Sequence, residues 1–112
     1  MEVQLEIQRL EAADWVLLSA TGEIDLATVG KLESAIEAVL HEGTKRLVID
    51  LNDVSFLDST GLRTLLAAHA KLEELGGSLA VVVAGGPVQR LLEITGIGST
   101  MNVYPSVEAA TV

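Results

Sequence analysis

Two hydroxyls and a carboxylate stand together where an apolar segment gives way to an amphipathic one. Residues 54–62 read Val-Ser-Phe-Leu-Asp-Ser-Thr-Gly-Leu, which places Asp58, Ser59 and Thr60 at the predicted junction of a strand and a helix. The backbone N–H groups in the first turn of a helix have no intrahelical acceptor, and the helix dipole makes this end electropositive. A phosphoryl group on Ser59 would be tolerated there. The same residues also form a helix-capping sequence with Ser59 as a capping position, so the local pattern fits both a cap and a modification site.

Nucleophilic hydrolysis is another chemistry that a serine at such a turn could perform. It needs a base near the nucleophile, but the chain has two histidines, His41 and His69, and lacks the Gly-x-Ser-x-Gly spacing of a nucleophile elbow. We expect His69 to pack on the apolar stripe of a helix and His41 to interact with a helix C-terminus. The sequence therefore predicts no catalytic residue and no enzyme activity.

Metal binding and phosphate binding would each need a particular set of residues. Four aspartates at predicted loop ends supply oxygen ligands of the kind that magnesium prefers: Asp25, Asp50, Asp53 and Asp58. A receiver domain of this length would add an acidic pair after its first strand and a lysine after its last major strand, and this chain has neither. Gly85-Gly86 lacks the lysine and spacing of a P-loop. We interpret these residues as turns and predict no metal and no cofactor.

Composition limits the classes of protein that remain. The 112 residues correspond to one domain, 1–112, and no apolar run approaches the ~20 residues of a membrane-spanning helix. The chain has no cysteine, and 16 acidic against 7 basic residues give a net charge of −9. We therefore expect no membrane insertion and no nucleic-acid binding. A soluble, cytoplasmic protein with protein partners is the remaining expectation.

The N-terminal residues predict a β-hairpin followed by a helix. Polar and apolar residues alternate from Val3 to Gln8, and 15–20 form a second candidate strand after a turn at 12–14. Apolar residues then recur at helical spacing up to Gly43, with Thr28 as the expected N-cap. Trp15 is expected to pack in the core or on an edge strand, and so is Phe56.

The remaining residues alternate between strands and helices. Residues 47–51 predict a central strand buried on both faces, and 79–84 predict another. Between them runs a helix whose expected apolar stripe comprises Leu62, Leu65, Leu66, His69, Leu72 and Leu75. Pro87 begins a third helix, 101–104 form a last strand, and Ser106 caps a short terminal helix. This order predicts an α/β domain whose later strands are parallel.

Three separated motifs together resemble the STAS domain family, and within it the anti-sigma factor antagonists of bacteria. They are Gly-Glu-Ile-Asp at 22–25, Leu-Val-Ile-Asp-Leu at 47–51 running into Phe-Leu-Asp-Ser-Thr-Gly-Leu at 56–62, and Leu-Leu-Glu-Ile-Thr-Gly-Ile at 91–97. The match covers nearly the whole chain in the family's order. It implies a mixed sheet of four to five strands with helices packed mainly on one side.

The resemblance also implies a role for the 54–62 junction. The family's serine that follows the aspartate is phosphorylated, which corresponds to Ser59, with Thr60 as a secondary candidate. Its partner is an anti-sigma factor that is also a serine kinase; the unphosphorylated antagonist binds it and frees a sigma factor, and a serine phosphatase reverses the modification. The residues expected to contact the partner are Asp25, Leu26, Thr28, Asp58, Ser59, Thr60, Gly61, Leu62 and Arg63.

Arg63 departs from the family pattern, in which many antagonists have glycine at this position. Its guanidinium, four residues after Ser59, could fold back toward a phosphoserine, contact the partner, or simply be solvated. A second class of function also stays open, in which the STAS domain is an assembly module of a stress-signalling complex or a lipid transporter and is not phosphorylated. We expect a monomer or a weak dimer paired through the N-terminal hairpin.

Overall fold

The computed structural model describes residues 4–112, which form a five-stranded sheet with helices on both faces. The elements are β1 (Leu5–Glu11), β2 (Val16–Ile24), α1 (Val29–His41), β3 (Arg46–Leu57), α2 (Ser59–Glu74), β4 (Ser78–Val82), α3 (Gly86–Thr95), β5 (Asn102–Tyr104) and α4 (Val107–Thr111), with a 3₁₀ turn at Ile97–Ser99. Strand order follows chain order, β1 pairs antiparallel with β2, and the later pairs are parallel. The predicted α/β class and mixed sheet are confirmed.

The N-terminal hairpin forms where the alternating pattern predicts it. The backbone N–H of Ala12 donates to the Trp15 carbonyl at 2.9 Å, which closes the turn between β1 and β2. Val3, the first apolar position of the predicted strand, lies outside the described residues. β2 continues past Ala20 to Ile24, and β3 continues past Leu51 to Leu57, because these segments pair with each other across two register shifts. Both strands are therefore longer than predicted, and both end at the same edge of the sheet.

Most of the core lies between one face of the sheet and helices α1, α2 and α3. The largest side chains that are fully buried there include Leu18, Ile24, Leu32, Ile49, Leu65, Leu72, Leu79 and Leu92. The opposite face carries a smaller cluster of Leu17, Val48, Val82 and Ala110, against which Trp15 and Tyr104 pack. α4 covers this cluster, and Ser106 caps the helix by accepting a hydrogen bond from Ala109 N at 3.1 Å. Helices thus pack mainly on one side, as expected.

Two apolar residues lie nearer the surface than their sequence pattern predicts. Phe56 is 49% exposed, because β3 carries it on the face opposite buried Leu57 and beyond the part of the sheet that α4 covers. Leu75 is 40% exposed, because α2 ends one residue before it. His69 is half-buried, as expected for a boundary histidine, and its Nδ1 has no hydrogen-bond partner among residues 4–112.

Candidate functional site

Asp58 caps helix α2. Its backbone is extended, with φ −101° and ψ −172°, and its Oδ1 accepts hydrogen bonds from the N–H groups of Thr60 at 2.9 Å and Gly61 at 3.2 Å. The Thr60 hydroxyl donates to the same oxygen at 2.5 Å. Two of the N–H groups that the helix leaves without intrahelical acceptors are satisfied in this way. Capping therefore depends on the Asp58 carboxylate and does not require the Ser59 hydroxyl. The prediction that Ser59 is a capping position is wrong, because Ser59 is the first residue inside the helix.

These donors also determine the charge state of the cap. The Thr60 hydroxyl is the main cause that lowers the pKa of Asp58 below its ordinary value, and the N–H groups of Gly61, Thr60 and Leu26 lower it further, while partial desolvation opposes them. Each of these hydrogen bonds favours the ionised form. A negative charge consequently stands next to Ser59 at neutral pH.

The two hydroxyls at the junction differ in their surroundings. Ser59 is exposed, and within residues 4–112 its hydroxyl forms no side-chain hydrogen bond. Thr60 is half-buried, and its hydroxyl is engaged with Asp58. Ser59 is therefore the hydroxyl that an approaching enzyme could reach without first breaking an internal hydrogen bond.

The loop between β2 and α1 lies directly against the start of α2. The N–H of Asp58 donates to the Ile24 carbonyl at 3.1 Å, which joins the ends of the paired strands β2 and β3. Gly61 allows the close approach: a Cβ on this residue would lie 2.9 Å from Ile24 Cγ2 and would overlap Leu57 Cδ1. Residues 25–28 and 58–61, far apart in the sequence, consequently form one surface.

The 25–28 loop is held by its own side chains. Asp25 Oδ1 accepts from the N–H groups of Ala27 at 3.0 Å and Thr28 at 3.1 Å. The Thr28 hydroxyl donates to the Glu23 carbonyl at 2.8 Å and accepts from Asp25 N at 3.0 Å. Thr28 is the N-cap residue of α1, as predicted, although its hydroxyl makes no hydrogen bond to the first turn of the helix. These bonds shape the turn that carries Leu26, which is 78% exposed.

Burial divides the residues predicted to contact a partner. Leu26, Ser59 and Arg63 are exposed, and Asp25, Asp58 and Thr60 are half-buried around them. Three others are buried and pack the loop and the helix start onto the sheet: Thr28, Gly61 and Leu62. Their burial argues for a supporting role instead of the direct contact expected from the sequence. The exposed and half-buried residues, 25–26 with 58–60 and Arg63, make up the junction surface.

Sequence reasoning missed Phe56 as a candidate surface residue. It lies two residues before Asp58, and its ring is partly open to solvent at the end of β3. The alternation of side chains along a strand could have predicted this position, because neighbouring residues point to opposite faces of the sheet. Leu57 belongs to the main core, so Phe56 points to the other face.

Three of the four aspartates considered as metal ligands accept hydrogen bonds from the backbone. Asp50 Oδ1 accepts from Asn52 N at 2.9 Å, just as Asp25 and Asp58 accept from their own loops. Within residues 4–112, no group of three or more histidine, aspartate and glutamate side chains is placed to hold a metal ion.

The turn before α3 is likewise closed by its neighbours. The N–H of Gly85 donates to Gln89 Oε1, and that of Ala84 donates to Asn52 Oδ1 at 2.8 Å.

None of the helices in the described part of the chain has both the length and the apolar character needed to cross a bilayer.

The fold and the junction surface together define a STAS domain. The family model for the STAS domain matches residues 4–110, and the chain belongs to this family. The resemblance carried by the three sequence motifs is thereby confirmed.

The relatives of this chain include several anti-sigma factor antagonists. The chain is 36% identical over 94 residues to the anti-sigma-F factor antagonist RsfB of Mycobacterium tuberculosis, covering 84% of this chain and 76% of RsfB. It is 32% identical over 87 residues to the anti-sigma-B factor antagonist of Staphylococcus aureus, covering 78% and 81% respectively. The crystal structure of an anti-sigma factor antagonist from Mycobacterium paratuberculosis superposes with a TM-score of 0.88 at 35% identity, covering 95% of this chain and 90% of that one.

Proposed function

We propose that this protein is an anti-sigma factor antagonist whose activity is switched by phosphorylation of Ser59. The unphosphorylated chain binds an anti-sigma factor that is also a serine kinase, and the sigma factor is thereby released in the cytoplasm. Phosphorylation of Ser59 ends the interaction, and a serine phosphatase restores it. The observation that carries the proposal is the exposed Ser59 hydroxyl on the junction surface, which forms no side-chain hydrogen bond within residues 4–112, in a chain whose relatives are named anti-sigma factor antagonists.

The fold accepts a phosphate at this position at little cost. A phosphoryl group adds about −1.5 to −2 charges at neutral pH. It would stand in the first turn of α2, where the helix dipole stabilises an anion by roughly 0.3 to 1 kcal/mol. Because the Ser59 hydroxyl makes no side-chain hydrogen bond to any residue from 4 to 112, modification removes none there. The phosphorylated domain should therefore stay folded.

A bound partner would not accept the same group. Inserting a phosphate into a closed interface would unpair a buried polar group at about 1–3 kcal/mol, and acidic neighbours on the partner would add repulsion. A total of about 3–4 kcal/mol weakens binding a few hundredfold. That change is sufficient to convert a bound partner into a free one. In this cycle the chain is the substrate of two enzymes and has no catalytic role.

Binding measurements with Ser59 variants test the proposal. Anti-sigma factors of the kinase class, taken from the organism that encodes this chain, are titrated calorimetrically with wild type, Ser59→Ala and Ser59→Glu. Ser59→Ala should bind like wild type, whereas Ser59→Glu should bind at least tenfold more weakly. Equal affinity of all three variants for a kinase that binds wild type would contradict the switch. An assembly module, by contrast, would gain no mass on incubation with these kinases and ATP.

A further inference from the structure

Arg63 is an exposed cation with no ionic partner in the part of the chain that the structure describes. Across residues 4–112 it forms no salt bridge and donates no side-chain hydrogen bond, whereas Arg9 is paired with Glu11 and Glu42. On the helix surface, a residue meets its neighbours three and four positions away. For Arg63 these are Ser59, Thr60, Leu66 and Ala67, none of which is charged. Nothing at these positions of α2 competes for its guanidinium.

Ser59 is the neighbour that can acquire a charge. It lies one turn before Arg63 on the same helix, and both side chains are exposed. An acidic group four residues before a basic one is the favourable orientation for a helical ion pair. A guanidinium also presents parallel N–H groups that match two oxygens of a phosphate. The adjacent Asp58 carboxylate, by contrast, already accepts from Thr60 and Gly61.

We infer that Arg63 is the counter-ion of phosphorylated Ser59: its guanidinium donates to two phosphoryl oxygens and stabilises the dianionic form. This inference rests on the proposed phosphorylation of Ser59. The Arg63 side chain would therefore occupy two different positions. In the unmodified chain its side chain is exposed on the junction surface, and in the phosphorylated chain it lies along α2 against the phosphate.

Phosphorus NMR of the full chain tests the pair without any kinase. Phosphoserine is incorporated at position 59 during synthesis, and the pKa of its second ionisation is measured by ³¹P titration. The comparison uses the wild-type background, Arg63→Gln and Arg63→Lys. Lys71→Gln is the matched control, because Lys71 is exposed on the same helix but lies about 18 Å from Ser59 along the axis, beyond the screening length of about 8–10 Å.

The pair predicts a definite order of phosphate pKa values. Wild type should be lower than Arg63→Gln by roughly 0.3, with Arg63→Lys between them and Lys71→Gln equal to wild type. The acidic groups of the junction surface, Asp58 on the cap and Asp25 on the β2–α1 loop, are common to all four proteins and cancel in the comparison. Equal values for wild type and Arg63→Gln, or an equal change in Lys71→Gln, would overturn the inference.

Failure of this inference is distinguishable from failure of the proposed function. If no kinase modifies Ser59, the switch is wrong, yet the titration still reports whether Arg63 pairs with a phosphate placed there. If Ser59 is modified but the titration shows no effect of Arg63, the switch stands and Arg63 is an ordinary solvated side chain.

Discussion

The Thr60 hydroxyl donates to Asp58 Oδ1 at 2.5 Å, so that one of the two adjacent hydroxyls at the start of α2 is committed to the helix cap. Ser59, next to it, is exposed and has no such bond. Adjacent residues of similar chemistry thus have different roles, one structural and one available for modification.

Phosphorylation should be selective for Ser59. Incubation of the wild-type chain with a cognate kinase and ATP should add a single phosphate, about 80 Da by intact-mass measurement. Ser59→Ala should remain unmodified, because the Thr60 hydroxyl would have to leave Asp58 first. Thr60→Val should still be modified. Loss of the added mass in Thr60→Val with its retention in Ser59→Ala would assign the site to Thr60.

Leu26 should contribute to partner binding and not to folding. It is 78% exposed at the tip of the 25–28 loop, so Leu26→Ala should change the free energy of unfolding by less than about 0.5 kcal/mol. If Leu26 is an apolar anchor of the interface, the same change should weaken binding to the anti-sigma factor about tenfold.

Leu10 offers a matched control for Leu26. It is 60% exposed, but it pairs with Leu17 near the start of β2, at the end of the sheet opposite the junction surface. Leu10→Ala should leave affinity unchanged. Similar losses in both variants, measured by calorimetry, would mean that the binding surface lies elsewhere or is larger than the junction surface.

Gly61 should resist substitution, although it lies in a helix where alanine is normally better. Gly61→Ala gains roughly 0.5–1 kcal/mol of helix propensity, but overlap with buried Leu57 and Ile24 costs about 1–3 kcal/mol. A net destabilisation of about 1 kcal/mol is expected in urea unfolding. Gly30→Ala in α1 is the control: a Cβ there meets nothing within 4 Å, and a gain of about 0.5–1 kcal/mol is expected. If both substitutions raised the free energy of unfolding, or both lowered it, the packing argument would be refuted.

The Asp58 cap should make stability depend on pH in acid. Hydrogen bonds lower the pKa of Asp58 in the folded state. The ionised carboxylate therefore stabilises the folded protein at pH values above the ordinary aspartate pKa of about 3.9. This contribution is lost as the pH falls through the lower, folded-state value. The difference in unfolding free energy between wild type and Asp58→Asn should therefore be constant near neutral pH and should shrink in acid.

The Thr60 hydroxyl provides the control for that titration, since it is the main cause of the lowered pKa. In Thr60→Val, the folded-state pKa of Asp58 should rise toward the ordinary value, and the acid-dependent loss relative to Asp58→Asn should be smaller. Urea unfolding at several pH values from about 2.5 to 7 measures all three proteins. A difference between wild type and Asp58→Asn that grows in acid would contradict the role given to the cap.

Local patterns were sufficient to predict the class of fold and the start of a capped helix at residues 58–61. Period-two alternation and the 12–14 turn predict the hairpin, and helical spacing of apolar residues predicts α1 and α2, because these signals depend on neighbours within one element. The capping chemistry of residues 58–61 is also local, since the side chain and the N–H groups it satisfies are at most three residues apart.

The assembly of the junction surface was decided by the tertiary structure. Parallel pairing of β2 with β3 brings Ile24 to Asp58, so a loop and a helix start that are distant in sequence become one surface. The same pairing lengthens both strands and leaves Phe56 partly exposed.

The chain by itself therefore determined that residues 58–61 begin a helix with a capping sequence, because capping depends only on adjacent residues. Which of the predicted contact residues are buried depended on packing between distant segments. Gly61 is interior because the start of α2 packs against Ile24 at the end of β2, and no spacing within either segment encodes that contact. Such contacts appear only when the sheet aligns the ends of its strands.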